Sequence, residues 1–579
     1  MGGFGLVERK HCFCKGNGAV LVVVNSIGSY WDYSIVKDTV LVALEHFGIP
    51  YRLIDIAEEP LTKERLASGA GIILAQSRLG AFLTPKIQGE IAAQVRQGMG
   101  LVNFDEDIRN YSREFLDMFG FEHINPHPYV TSVLRIRQNE HYITQLQNDG
   151  ECHTLDRMAT AIAVEKWGDG VLTLAEGVLS KDELVYIRHI TPWSAYEPRN
   201  YPCIFATQYG KGKAVQFTIS SRIWKKGFLG HMRGIDDLFF RSILWSVKKP
   251  FITNEILPFV TMSFDDCSGR YDFCYADIAA RYGYIPLPSL FLDRVDRKLY
   301  PKIAADQRSG KIEYNTHAFS YHEQLYHAYG KGRHSEEKLK EIFEREDTFW
   351  SKVGVEPIKT VRFHCGEMGV NALPYLKRRG RTFINPAFQT GILKAEMDMD
   401  DGYWPYNLQN CCYDYLPDDH DFYLFFSSLA RHKEDFLTGC TVNLLENPSN
   451  DIDHAARNIE ANINLGLRSG FYAEILTHEQ KFENLRLEQW EEILKKAASL
   501  TGKYQKVYAG HDAIGMYLKA KDTVCFNEVT TTGEKVAFTV KGNPEVPLRF
   551  SLYKEEDGQP YKQYIDIPVF CNTYSSMEE

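Results

Sequence analysis

No apolar run in this sequence approaches the roughly 20 residues that a bilayer-spanning helix needs; the longest near the start covers only residues 19–24. A membrane span is therefore not expected. Blocks of Lys and Arg are also missing. With 66 basic and 76 acidic side chains the formal net charge is −10, which speaks against nucleic acid or an anionic membrane surface as the main partner. Twelve cysteines are scattered along the chain, with Cys411 and Cys412 as direct neighbours. They form no disulfide framework, and Cys12-Phe13-Cys14 is too close and too isolated to make a zinc site. Internal repeats and low-complexity tracts are absent. The N-terminus lacks a basic n-region, a long apolar stretch and a small-residue cleavage site, and Leu6 stands where myristoylation after Gly2 wants Ser or Thr. A cytoplasmic protein is expected, or a secreted or periplasmic one if a leader has been removed.

What is present is ordinary globular composition, 44% hydrophobic and 25% charged over 579 residues. That length exceeds one hydrophobic core and predicts three or four domains. The 33 Tyr and 8 Trp suit stacking on sugars and suit large cores equally well.

Residues 18 to about 125 alternate strand and helix. Strands are predicted at 19–24, 51–56, 71–75 and 100–104, and helices at 33–47 and 85–98, with Gly48 stopping the first helix. The pattern implies a parallel α/β layer. Residues 126–200 read as a strand-rich insertion. Residues 203–217 read as a hairpin turning at Gly210-Lys211, and a helix follows over 235–247 before Lys249-Pro250. This block resembles flavodoxin-like, class I glutamine-amidotransferase-type domains, on its Tyr209-Gly210-Lys211-Gly212 hairpin, its helix and its Lys-Pro exit. The resemblance requires a Cys after the central strand, and here Asp105-Glu106-Asp107 stands there. A non-catalytic structural or binding module is expected over 18–255, after an arm of 1–17. Such a module could wall a substrate cleft or form a subunit contact, so a homo-oligomer is compatible with the sequence.

The chemistry lies further along. Phe259-Val260-Thr261-Met262-Ser263-Phe264 ends in Asp265-Asp266; then come Asn315-Thr316-His317 with His322, Arg362-Phe363-His364-Cys365-Gly366, and Leu476-Thr477-His478. Hydrolysis of an amide at neutral pH needs an activated water. A divalent metal on three protein ligands with open positions provides it, and an adjacent carboxylate takes the proton. Two Asp at a strand end supply one base and one ligand, because a single turn can aim successive side chains separately. Two neutral His complete an open site suited to zinc or another first-row ion. A later His can protonate the leaving amine, and an Arg beside the base keeps it ionised.

The ordered set resembles the polysaccharide deacetylase (NodB-homology) superfamily over roughly 256–520, under half of the chain. The resemblance implies a deformed (β/α) barrel over 256–521. It implies Asp265 as base, Asp266, His317 and His322 as ligands of a divalent ion (zinc is expected), Arg362 beside the base and His478 as general acid. The first motif matches outright as Ser263-Phe264-Asp265-Asp266, and so does Leu476-Thr477-His478. The family's His-x-x-x-His is lengthened by one residue here. In a regular helix five residues would turn His322 about 140° from His317, so a bulge near 316–319 is expected to restore the geometry. His364 lines the site or packs beside it. The family's fourth motif, an Asp tuning the acid His, has no clear counterpart, with Asn385 near its place.

Residues 389–450 form an acidic, aromatic-rich segment that either binds a ligand or embellishes a loop. From about 522 to 579, short strands joined by Thr532-Gly533, Gly542-Asn543-Pro544 and Asp557-Gly558 predict a small antiparallel β module, too short to stand alone and expected to pack on the catalytic domain. The functional expectation is a metal-dependent carbohydrate deacetylase acting on an N-acetylated glycan. The alternatives are a hydrolase of a non-sugar amide or cyclic imide on the same barrel, and an inactive glycan-binding protein.

Overall fold

A computed structural model describes residues 13–179, 198–224, 234–326, 334–364, 368–385, 413–415, 419–425, 451–483 and 485–578. The chain is a mixed α/β, multidomain protein that divides into two compact units. One holds the described residues of 256–519, the other those of 13–255 together with 520–578. No helix among the described residues is long and apolar enough to cross a membrane.

The N-terminal unit is built on a nine-stranded sheet. Tyr51–Asp55, Val20–Val24, Gly71–Leu74, Gly100–Asn103 and Gly212–Phe217 lie side by side in parallel. The near-continuous apolar run of Val20–Val24 is fully buried, as strands covered on both faces require. Residues 126–200 are no separate insertion in their described part. Arg199–Tyr209, Leu172–Leu179, Tyr129–Ile136 and Cys152–Ala161 continue the same sheet antiparallel to one another. The hairpin at Gly210-Lys211 is present, with Gly210 at φ 63°.

The C-terminal strands belong to this same unit, which corrects the expectation that they pack on the catalytic domain. The reason is an open edge. Phe251–Thr253 pairs antiparallel with Leu548–Glu556, which pairs in turn with Gln559–Ile567. Buried Glu255 then accepts hydrogen bonds from Ser551 Oγ, from Tyr553 Oη at 3.0 Å and from Lys562 Nζ at 2.7 Å. A second sheet, Cys525–Thr532, Lys535–Gly542 and Asn572–Glu578, includes a last strand that the sequence reading left out. Asp557 and Gly558 both take positive φ, the geometry of the tightest hairpin turn.

In the other unit the strand Phe259–Cys267 is buried along its whole length. It is flanked in parallel by Pro286–Phe291 and Ala473–His478, with Val507–Tyr508 at its start and Asn315–Ala318 beyond Pro286–Phe291. A second sheet holds Thr360–Val361, Phe383–Ile384 and Tyr423–Phe425 in parallel, with Tyr413–Tyr415 antiparallel at its edge. Among the described residues these two sheets do not join into one continuous ring. Amphipathic helices Glu336–Val353, Ile452–Arg468 and Leu487–Leu500 bury one face each against a shared apolar core. The segment 389–450 lies outside the described residues except for 413–415 and 419–425.

Candidate metal and hydrolytic site

Parallel strands carry their functional side chains at their carboxyl ends, and here four such ends converge. Asp265 lies directly across from His478 in the register of adjacent strands. Its successor escapes the usual alternation because the pairing slips between Phe264 and Cys267 and Asp266 adopts a left-handed backbone, φ 60°. Asp tolerates that conformation better than most residues. Glu479 fixes the turn that follows: its carboxylate accepts the N–H groups of Ser268, Gly269 and Arg270 at 2.6–3.0 Å and the Tyr275 hydroxyl at 2.8 Å. Gln480 Nε2 donates to Asp266 Oδ2 at 2.6 Å, which leaves Oδ1 facing inward.

Two imidazoles meet that inward oxygen. His317 Nε2 lies 3.3 Å and His364 Nε2 3.4 Å from Asp266 Oδ1. Asp266, His317 and His364 are all buried and form a group that could hold a metal ion. The donor set fits. Two ligand atoms each about 2.1 Å from one ion, at a tetrahedral angle, stand about 3.4 Å apart. Asp266 Oδ1 is moreover a buried acceptor without a hydrogen bond, as a ligand atom would be. His317 Nδ1 lies 3.2 Å from the Arg362 carbonyl; a proton on Nδ1 donates there and leaves Nε2 with its lone pair free. The Gln324 amide contacts His364 Nδ1 at 2.7 Å, and a half turn of that amide lets its oxygen accept from Nδ1–H, which puts the proton on the ring nitrogen away from Asp266. Phe291 packs against both rings, with centroids 5.8 and 5.3 Å away.

His322 is not in this group. The register between Pro286–Phe291 and Asn315–Ala318 does slip, and His317 is the extra residue. The chain then reverses: a bridge between Ser320 and Glu323 closes a tight turn with Tyr321 and His322 at its exposed tip. The expected extra residue is therefore present, but the turn that follows it carries His322 away from Asp266 instead of toward it. His322 stacks edge-on to Tyr321, and Tyr321 in turn touches His364. His364, left between lining and packing by sequence, is 5% exposed and aimed at Asp266. His327, Cys365 and Gly366 lie outside the described residues.

Arg362 is 2% exposed and divided between two carboxylates. Its Nε donates to Asp265 Oδ1 at 2.7 Å, and its Nη1 donates to Glu474 Oε1 at 2.6 Å and to Asn385 Oδ1 at 2.8 Å. Burial alone would raise the Asp265 carboxyl, but Arg362, His317 and His478 outweigh it and hold it below the usual range. Burial likewise opposes ionisation of Asp266, and the close approach of His317, then the charges of His478 and His364, hold it well below the usual carboxylate range. Burial, together with the neighbouring His317, lowers His364 to about 4, so it is neutral at neutral pH as a ligand must be. Burial also lowers the partly exposed His478, against the pull of Asp265 and Asp266.

Sequence reasoning passed over Glu474. It shares a strand face with His478, and a carboxylate within the buried run Ala473–His478 demanded a partner. That partner is Arg362, joined by the Ser263 hydroxyl at 2.6 Å. Burial opposes the Glu474 charge, yet Arg362 and His511 hold its carboxyl far below its ordinary 4.5. A folded-state pKa below the unfolded one gives stability that is present above about pH 4.5 and lost on acidification below it. Replacing Arg362 by Leu strands both carboxylates. The expected loss is about 3–5 kcal/mol, read as a lowered urea midpoint at pH 7 that narrows toward wild type at pH 4.

No family model matches the chain, and no curated protein matches it. Solved structures do. A protein described as ThuA-like from Bacteroides uniformis has a TM-score of 0.29 and 11% identity, covering 41% of this chain and 94% of its own. A family 4 carbohydrate esterase from Streptomyces lividans, in complex with acetate, has a TM-score of 0.26 and 10% identity, covering 45% and 96%. A protein described as a polysaccharide deacetylase from Mycobacterium smegmatis has a TM-score of 0.28 and 16% identity, covering 46% and 92%.

Proposed function

We propose that the chain is a metal-dependent hydrolase that removes acetyl from N-acetylated amino sugars of a polysaccharide or oligosaccharide. The observation that carries this reading is the division of labour between two consecutive carboxylates. Asp265 is held by an arginine, and Asp266 faces the Nε2 atoms of two buried imidazoles. Asp266, His317 and His364 hold the ion, with zinc expected from the nitrogen-rich donor set. When bound, it supplies Lewis acidity toward an acyl oxygen and a water. Asp265 accepts the water's proton. Its Oδ1 is engaged by Arg362 Nε, and Oδ2, 3.5 Å from Nη2, is the freer oxygen. Arg362 keeps that base ionised. His478, across from Asp265, in its protonated form gives a proton to the amine nitrogen as the C–N bond breaks and regains the proton that Asp265 took from the water, so that acetate and the free amino sugar result.

Acetate release from N-acetylated oligosaccharides tests this reading. Zinc-loaded protein is expected to release acetate, chelation to abolish release, and returned zinc to restore it. A stoichiometric ion with no release from any glycan, but turnover of a simple amide or cyclic imide, would replace the sugar reading. Neither ion nor turnover would leave a glycan-binding protein. In the N-terminal unit, acidic residues stand where an amidotransferase nucleophile would, so intact protein incubated with glutamine is expected to yield no ammonia above the uncatalysed rate.

A further inference from the structure

The N-terminal unit carries a cavity of about 220 Å³ that the proposed hydrolysis does not use. It opens at the carboxyl ends of the parallel strands. Asp32 comes from the connection after Val20–Val24, Arg78 from that after Gly71–Leu74, Glu106, Asp107 and Arg109 from that after Gly100–Asn103, and Arg222 from that after Gly212–Phe217. The strand order places Val20–Val24 between its successor and Gly71–Leu74. The winding reverses there, which is where open α/β sheets form ligand crevices.

The wall is built rather than incidental. Arg78 sits in the left-handed region at φ 60°, ψ 18°, a conformation that persists for a long side chain only when its surroundings impose it. Buried Asp105 imposes it. It accepts the N–H of Arg78 at 2.6 Å, the N–H of Gly80 at 2.9 Å and the Tyr111 hydroxyl at 3.0 Å. Arg78 is then engaged by Asp32 at 2.5 and 3.0 Å, and Arg109 by Asp107 at 2.6 and 2.9 Å. Ser77 donates its hydroxyl to Glu106. Arg222 has no carboxylate partner among the described residues and lies over the Trp31 ring, 5.6 Å from its centroid.

Three guanidiniums and three carboxylates therefore line one small space, with Arg78 and Arg109 each held by one of those carboxylates. A phosphate would meet three carboxylates and a simple cation three guanidiniums. A hydroxylated neutral molecule finds a partner for each hydroxyl, as acceptor from Arg and as donor to Asp or Glu. Trp31, 61% exposed, lies against the lining residue Arg222 and sets an aromatic ring at the edge of this space. We infer that this cavity binds one neutral sugar unit, at a site distinct from the metal-centred one.

Calorimetric titration of the full chain with glucose, galactose and N-acetylglucosamine tests this. At least one is expected to bind, with affinity falling tenfold or more in Arg222→Ala and in Glu106→Gln and unchanged in Asp266→Ala. Thermal unfolding of the first two variants close to wild type is expected, since Arg222 is partly exposed and Glu106→Gln keeps its shape. Binding of none of the three sugars would overturn the inference. So would a loss that follows Asp266→Ala alone, which assigns the sugar to the hydrolytic site, or competition by inorganic phosphate or glutamine, which assigns a charged ligand.

Discussion

Asp265→Asn is expected to lower acetate release by about 10³-fold or more while the protein keeps its ion and its fold. General-base catalysis is worth about 10²–10⁴-fold, and an amide in that place cannot accept the proton. Metal is retained because Asp265 is not in the group of Asp266, His317 and His364. The fold survives because Asn still offers an oxygen to Arg362 Nε, while Glu474 keeps its ion pair with Nη1. Metal analysis and turnover on the same preparation check this. Activity within threefold of wild type would move the base elsewhere. Loss of the ion together with activity would make Asp265 a ligand instead.

The second large effect separates two histidines. His364→Ala removes one of three buried donors and is expected to weaken zinc binding on the order of 100-fold or more, since even outer-shell partners of a ligand are worth 10–100-fold. Activity at limiting zinc falls with it. His322→Ala alters an exposed turn tip and is expected to leave zinc affinity and turnover within about twofold. Competition against a chelating dye measures both. The reverse pattern would mean that the turn at 320–323 refolds over the ion and that His364 is a packing residue.

Part of the candidate site is legible in the sequence because the relevant signals are local. An apolar run ending in two acids marks a buried strand and its carboxyl end, and His317 and His478 lie in the buried parallel strands Asn315–Ala318 and Ala473–His478. Parallel pairing then puts Asp265 across from His478. Less local features were hidden. Spacing alone could not show that the chain reverses after Phe319, and so could not exchange His322 for His364. The left-handed Asp266 that lets two adjacent carboxylates serve one site is a backbone state that many sequences share. Glu474 was visible as a charge in an apolar strand, but its partner lies 112 positions away in sequence. The same limit explains the C-terminal module. Its strands and tight turns were readable, whereas the edge they join, Phe251–Thr253, is set by pairing across the length of the chain.

Anomalous diffraction at the zinc edge, from a crystal grown with zinc and without chelator, tests the central claim most directly. One peak is predicted in this unit, about 2.0–2.2 Å from His317 Nε2, His364 Nε2 and an Asp266 carboxylate oxygen, with Asp265 uncoordinated and His322 remote. A peak ligated by His322 with His364 turned away, or no peak near Asp266 under saturating zinc, would contradict it.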